Sequence, residues 1–269
     1  MGMDERLLDY PNGKSLYEKA TADDEDGAFY LALLYKQEIK DYDKAAYWYA
    51  KAYELGSVDA AFNLGNLYNE QKNYPKMEEW YKKAISHDDG GAAFNLANTY
   101  NKELKQPKRA IPYYEKAYEL GQKDAPFSIG LIYDEQFQDY KKAIEWYKKA
   151  YDIGNIGGAN ALGYVYKNNL GSIAEGIKWY SIAAKKGDSE AIKNLGNVYH
   201  EQGDNIKGAA YIFAMVNYGY TKDEVLSFLK NDWKLDRDTK RTYRYWIIIG
   251  PLEDIRAKAY QLHETYPEG

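Results

Sequence analysis

Six tyrosines recur at a nearly fixed interval, and that interval limits what this chain can fold into more than its length or composition does. Tyr35, Tyr68, Tyr100, Tyr133, Tyr166 and Tyr199 each close a segment of the form apolar-small-x-x-Tyr, and they stand 33, 32, 33, 33 and 33 residues apart. A second series, Trp48, Trp80, Tyr113, Trp146, Trp179 and Tyr211, follows in phase with the first. Two landmarks locked to one period mark an array of a single repeated unit, whose copies bury their apolar faces only by stacking.

Each unit carries two helical patterns. In the first, which we term helix A, Leu64, Gly65, Tyr68 and their equivalents recur in three- and four-residue steps that lay an apolar stripe on one helical face. The second, helix B, reads KAAYWYAKAYELG (44–56) or KKAIEWYKKAYDIG (141–154), closed by Gly56, Gly121, Gly154, Gly187 or Gly219. Glycine there fits the left-handed position that ends a helix. A turn of about five residues between the two patterns leaves room only for an antiparallel pair. Ala32, Gly65, Ala97, Gly130, Gly163 and Gly196 hold one small position on helix A. Glycine inside a helix costs about 1 kcal/mol against alanine, so close approach of helix B is expected there. The B-helix aromatics are expected to fill the space between successive pairs.

Composition removes several function classes. The 269 residues include no cysteine, which excludes disulfides and thiolate metal sites. A net charge of -5 argues against a general nucleic-acid binder, because such affinity comes mostly from phosphate neutralisation. No apolar run reaches membrane-spanning length, and MGMDERLLDY has no signal-peptide pattern. A cytoplasmic protein is expected.

The stretch NLGNLY…NYPKMEEWYKKA resembles a tetratricopeptide repeat, and KAAYWYAKAYELG, with its Trp-Tyr pair and closing glycine, resembles the SEL1-like branch of that superfamily. The resemblance covers residues 23–219. It implies an all-α, right-handed superhelical solenoid of antiparallel helix pairs that binds protein segments, with no cofactor and no catalytic or metal site. Six repeats are expected over 23–219, preceded by a half-repeat capping helix in 1–22 and followed by a helical cap in 220–269. Thr221 and Glu224 have capping-box spacing at the start of that cap.

In such arrays helix A lines a concave groove. The register then places there Phe29; Phe62, Asn63, Asn66 and Asn69; and Phe94, Asn95, Asn98 and Asn101. Phe127 and Asp134, Asn160 and Tyr164, and Lys193, Asn194, Asn197 and His200 follow in later repeats. Each asparagine offers one acceptor and two donors, the complement of a peptide bond, so the row suits an extended backbone while the phenylalanines offer apolar pockets. Asparagines that only cap, solvate or bond within the array are the alternative. Domains that clamp a terminal carboxylate place cations where Asp59, Phe62 and Gly91 stand, so a chaperone-tail clamp is not expected.

Other motifs carry little. NGKS (12–15) lacks the earlier glycine of a phosphate loop, and DDED (23–26) and HDD (87–89) read as acidic turns before helix N-termini. His87, His200 and His263 show no metal-ligand spacing. Pro126 falls in the first turn of a helix A, whereas Pro112 lies inside a helix B and predicts a late start or a kink there. Arg237, Lys240, Arg241 and Arg244 form either an anion-facing strip or a solvated face. The expected function is a non-enzymatic scaffold or adaptor for a protein segment. The alternatives are a regulatory receptor for a short free peptide, an enzyme inhibitor, and a self-assembling protein, possible as a weak homo-oligomer through Trp233 and Trp246.

Overall fold

A computed structural model describes residues 2–215 and 219–231. The basic strip at Arg237–Arg244, Trp233, Trp246, His263 and most of the expected C-terminal cap lie outside the described residues. Contacts divide the chain into two units, residues 1–129 and 130–269.

A 3₁₀ turn, Glu5–Asp9, precedes helix α1, Gly13–Thr21. The A and B helices then alternate: α2 (Glu25–Leu34), α3 (Tyr42–Glu54), α4 (Val58–Glu70), α5 (Tyr74–Ile85), α6 (Gly90–Asn98) and α7 (Pro107–Glu119). Helix α8 (Ala125–Leu131) is followed by α9 (Tyr140–Asp152), α10 (Ile156–Tyr164), α11 (Ile173–Lys185), α12 (Ser189–Glu201), α13 (Asn205–Ala214) and α14 (Lys222–Asn231). Among the described residues there is no strand. Helices α2, α4, α6, α10 and α12 each pack against their own B helix, and α3, α5, α9 and α11 each pack against the next A helix.

The turns repeat as closely as the helices. Gly56, Gly121, Gly154, Gly187 and Gly219 all take positive φ, as the left-handed reading of the closing glycine requires. Asp88 does the same work after α5. Acidic residues of the B-to-A turns cap the following helix: Asp24 accepts from Gly27 N, and Asp89 from Ala92 N. Thr221 and Glu224 form the expected capping box, each side chain accepting the other's backbone N–H.

Between A and B, the backbone N–H of each B-helix cap residue donates to the carbonyl of the repeat's landmark tyrosine: Asp41 to Tyr35, Asn73 to Tyr68, Gln106 to Tyr100, Asp139 to Tyr133, Ser172 to Tyr166 and Asp204 to Tyr199. The residue just before each cap is left-handed: Lys40, Lys72, Lys105, Gln138, Gly171 and Gly203. This closure spans two chain lengths. In the Tyr68 and Tyr199 repeats helix A runs on as regular α-helix. The other four repeats carry one more residue, and there the last turn is a π-helix at Tyr35–Ile39, Thr99–Glu103, Ile132–Gln136 or Val165–Asn169. The wider turn absorbs the extra residue and leaves the start of helix B where it was.

Pro112 corrects one part of the expectation, the late start. Helix α7 has no late start, since it begins at Pro107, the position equivalent to Tyr42 of α3, and continues through Pro112. The bond lost is the one to the Lys108 carbonyl, and Lys108 and Pro112 both lie on the exposed face, open to solvent. Pro126, in the first turn of α8, displaces no helical bond.

Candidate functional site

Helix B approaches the small position on helix A closely, as expected, and what meets it there is the ring of the residue after the Trp48 series. A β-carbon on Gly65 would lie 2.5 Å from the Tyr81 ring. Gly130 meets Tyr147 and Gly163 meets Tyr180 at the same distance. Tyr49, Tyr81, Tyr114, Tyr147 and Tyr180 are all fully buried. Of the tryptophans at the landmark position, Trp48 is buried while Trp80, Trp146 and Trp179 are half-buried. They work at the edges between repeats, Trp80 against Tyr53 at 5.6 Å and Trp179 against Tyr151 at 5.7 Å. The signal was legible: tyrosine follows the aromatic landmark in five of six copies.

Burying a phenol requires a partner for its hydroxyl, and the asparagine row supplies it. Tyr81 donates to Asn66 Oδ1 at 2.6 Å, and Tyr114 donates to Asn98 Oδ1 at 2.8 Å. In the next repeat Tyr147 donates to Asp134 at 3.3 Å. Tyr49 has Leu33 of α2 and Lys36 of the following π-helical turn at the matching positions, and its buried hydroxyl has no partner. Burial pushes the Tyr49 and Tyr114 hydroxyls up to about 12, and it also holds the Asp134 carboxyl above its usual range.

The amides also bond across repeats. Asn95 Nδ2 donates to Asn66 Oδ1 at 3.1 Å, and Thr99 Oγ1 donates to Asn69 Oδ1 at 3.2 Å. In the second unit Asn194 Nδ2 donates to Asn160 Oδ1 at 3.0 Å. Asn63 instead turns back to the Asp59 carbonyl of its own helix. The asparagine row is therefore a bonded part of the array in each unit.

Beside it, Phe29 packs on Tyr49, Phe62 on Tyr81 and Phe94 on Tyr114 with centroids 5.4–6.2 Å apart. Those phenylalanines and Phe127 are half-buried, so they offer ring edges where the sequence suggested pockets. Asn101 and Asn197 are half-buried too, and Tyr164 is exposed. Lys193 pairs with Glu190 at 3.5 Å, and His200 Nδ1 bonds Asn205.

A second set of contacts went unread in the sequence. The first turn of helix B puts a cation over the landmark tyrosine of helix A: Lys44 over Tyr35, Lys76 over Tyr68, Arg109 over Tyr100, Lys142 over Tyr133 and Lys207 over Tyr199. Glu175 stands at that place in the Tyr166 repeat. Among the described residues no His, Asp and Glu cluster could hold a metal ion, and no helix is long and apolar enough to cross a membrane.

Stacked antiparallel helix pairs with a constant internal contact set define the helical-repeat, or α-solenoid, class. Within it the family is clear: the Sel1 repeat matches residues 26–57, 129–155 and 158–188, and the tetratricopeptide repeat matches 58–88 and 91–124. The two interleave over more than half of the chain, which belongs to the SEL1-like branch of the tetratricopeptide-repeat superfamily. Repeats of these families make protein–protein interaction modules.

Among solved structures, the chain is 23% identical to a protective antigen of uropathogenic Escherichia coli strains that displays an SLR fold, with a TM-score of 0.56 over 94% of this chain. It spans 59% of that antigen's length. It is 16% identical to PilW, a type IV pilus biogenesis factor, with a TM-score of 0.50 over 76% of this chain and 98% of PilW. These likenesses establish the fold alone. No curated protein matches the sequence significantly.

Proposed function

We propose that the chain is a non-enzymatic adaptor that holds an extended segment of a partner protein along the faces of its A helices. Residues 23–219 would form the binding array, and residues 1–22 and 220–269 would close its ends. A cytoplasmic location fits this reading. One observation carries it: Asn66, Asn69 and Asn98 spend their amide oxygens inside the array, while their Nδ2 groups reach solvent with no partner among the described residues. Donors held in a row beside phenylalanine edges suit a polypeptide main chain with apolar side chains.

The test is a quantitative pull-down with mass spectrometry. Wild type is compared with a variant carrying Asn63→Ala, Asn66→Ala, Asn95→Ala and Asn98→Ala. Tyr81→Phe and Tyr114→Phe are added to that variant so that no buried hydroxyl is orphaned, and equal helicity and melting are confirmed. The expected result is a partner enriched by wild type and lost with the variant. The same partners on both would sink the proposal.

A further inference from the structure

The buried tyrosines fix more than packing. An unconstrained asparagine amide can present either its oxygen or its nitrogen. In the structure Asn66 and Asn98 present their oxygens inward, where each accepts the proton of a buried hydroxyl, Tyr81 or Tyr114. Asn66 is held twice, since Asn95 Nδ2 reaches the same oxygen. The Asn69 oxygen also faces inward, 3.2 Å from a Thr99 hydroxyl that it shares with the Asn95 carbonyl at 3.1 Å. All three amides turn N–H outward, on faces of α4 and α6 whose predicted contact positions carry no charged side chain.

We infer that Tyr81 and Tyr114 are positioning residues that give the first unit's row a hydrogen-bond polarity. The occupant it selects is an uncharged, extended segment that turns main-chain carbonyls toward the row. This rests on the binding proposal above. Spacing narrows the occupant further. Packed helices lie about 8–10 Å apart, and a polyproline II segment advances roughly 9 Å in three residues. Such a segment keeps its carbonyls unpaired and returns one side chain to the same face each turn. One apolar residue in three would then meet the successive phenylalanine edges of Phe62 and Phe94.

Panning a phage-displayed random dodecapeptide library on the full chain supplies the probe. The tightest clone is made as a blocked, fluorescein-labelled peptide and titrated by anisotropy. Three variants are compared with wild type: Tyr81→Phe/Tyr114→Phe, Asn66→Asp/Asn98→Asp and Asn66→Ala/Asn98→Ala. The aspartate pair keeps the acceptor for each tyrosine and replaces each outward donor with an acceptor, so it changes polarity without removing the internal bond.

We expect selected peptides with an apolar residue at every third position. The aspartate pair should weaken binding about tenfold or more, and the phenylalanine pair about threefold or more, in titrations run well below the melting temperature of every variant. If the alanine pair abolishes binding while the aspartate and phenylalanine pairs stay within about twofold of wild type, the polarity inference falls and the binding proposal stands. Failure to enrich any peptide, or equal binding by all variants, overturns both.

Discussion

Five tyrosines occupy one structural position with different hydrogen-bonding fates, which makes a controlled comparison at the scale of single atoms. Tyr81→Phe deletes a bonded hydroxyl and should cost about 1 kcal/mol. Tyr49→Phe deletes a hydroxyl already buried without a partner, and should leave stability unchanged or raise it. Urea unfolding of the two variants checks the contrast, and equal losses would mean that Tyr49 has a partner.

Two aspartates differ in the opposite way. Asp4 accepts from Arg6 and Lys44, and the side-chain bond to Arg6 is the main reason its carboxyl sits well below the usual range. A lowered pKa stabilises the fold above the unfolded value, about 3.9, and that stabilisation is lost as pH falls toward the folded value. Asp4→Asn should therefore lower the melting temperature at pH 7, with the gap closing below about pH 4. Asp134 is raised by burial, so its charge works against the fold above its pKa and ceases to do so once protonated. Asp134→Asn, which installs the residue found at the equivalent Asn69 and Asn101, should stabilise the protein at pH 7 and lose that advantage in acid. Melting curves from pH 3 to pH 7.5 read both signs.

The elements were largely legible beforehand. The period, the small position on helix A and the left-handed closing glycines follow from spacing and backbone sterics. Which of the adjoining Trp and Tyr lies inside was not legible, because periodicity alone does not say which faces its own helix A and which faces the neighbouring repeat. The π-helical turns were hidden as well: one inserted residue looks the same in sequence whether it widens a helix or lengthens a loop. They carry a prediction of their own. Deleting exposed Gln37 from the Tyr35–Ile39 turn should give the shorter closure already used after Tyr68, and keep the far-UV spectrum and the melting transition. Deleting Leu64 from α4 should abolish cooperative melting, because every later side chain of that helix rotates away from its partner. Circular dichroism on both deletions decides it. The asparagines were half read, since their position was visible but not the tyrosine hydroxyls that claim their oxygens.

At the scale of the molecule, a net charge of -5 coexists with a candidate binding row in the first unit that is neutral. Many charges are already paired along or between helices, as in Lys36–Glu70, Lys82–Glu78 and Lys167–Glu201. Affinity for a segment bound through amides and ring edges should then change by less than about twofold between 50 and 500 mM salt, since screening acts on charges. A steep salt dependence in anisotropy titrations would place the partner on a charged face instead.

The closure between helix A and helix B, built the same way on two chain lengths, bears on how such a molecule grows. Each unit ends in the same geometric state whether it holds 32 or 33 residues. A duplication whose ends fall in this turn and miss by one codon is therefore absorbed there and passes no phase error to later copies. The lineage could lengthen by copying without waiting for an exact crossover.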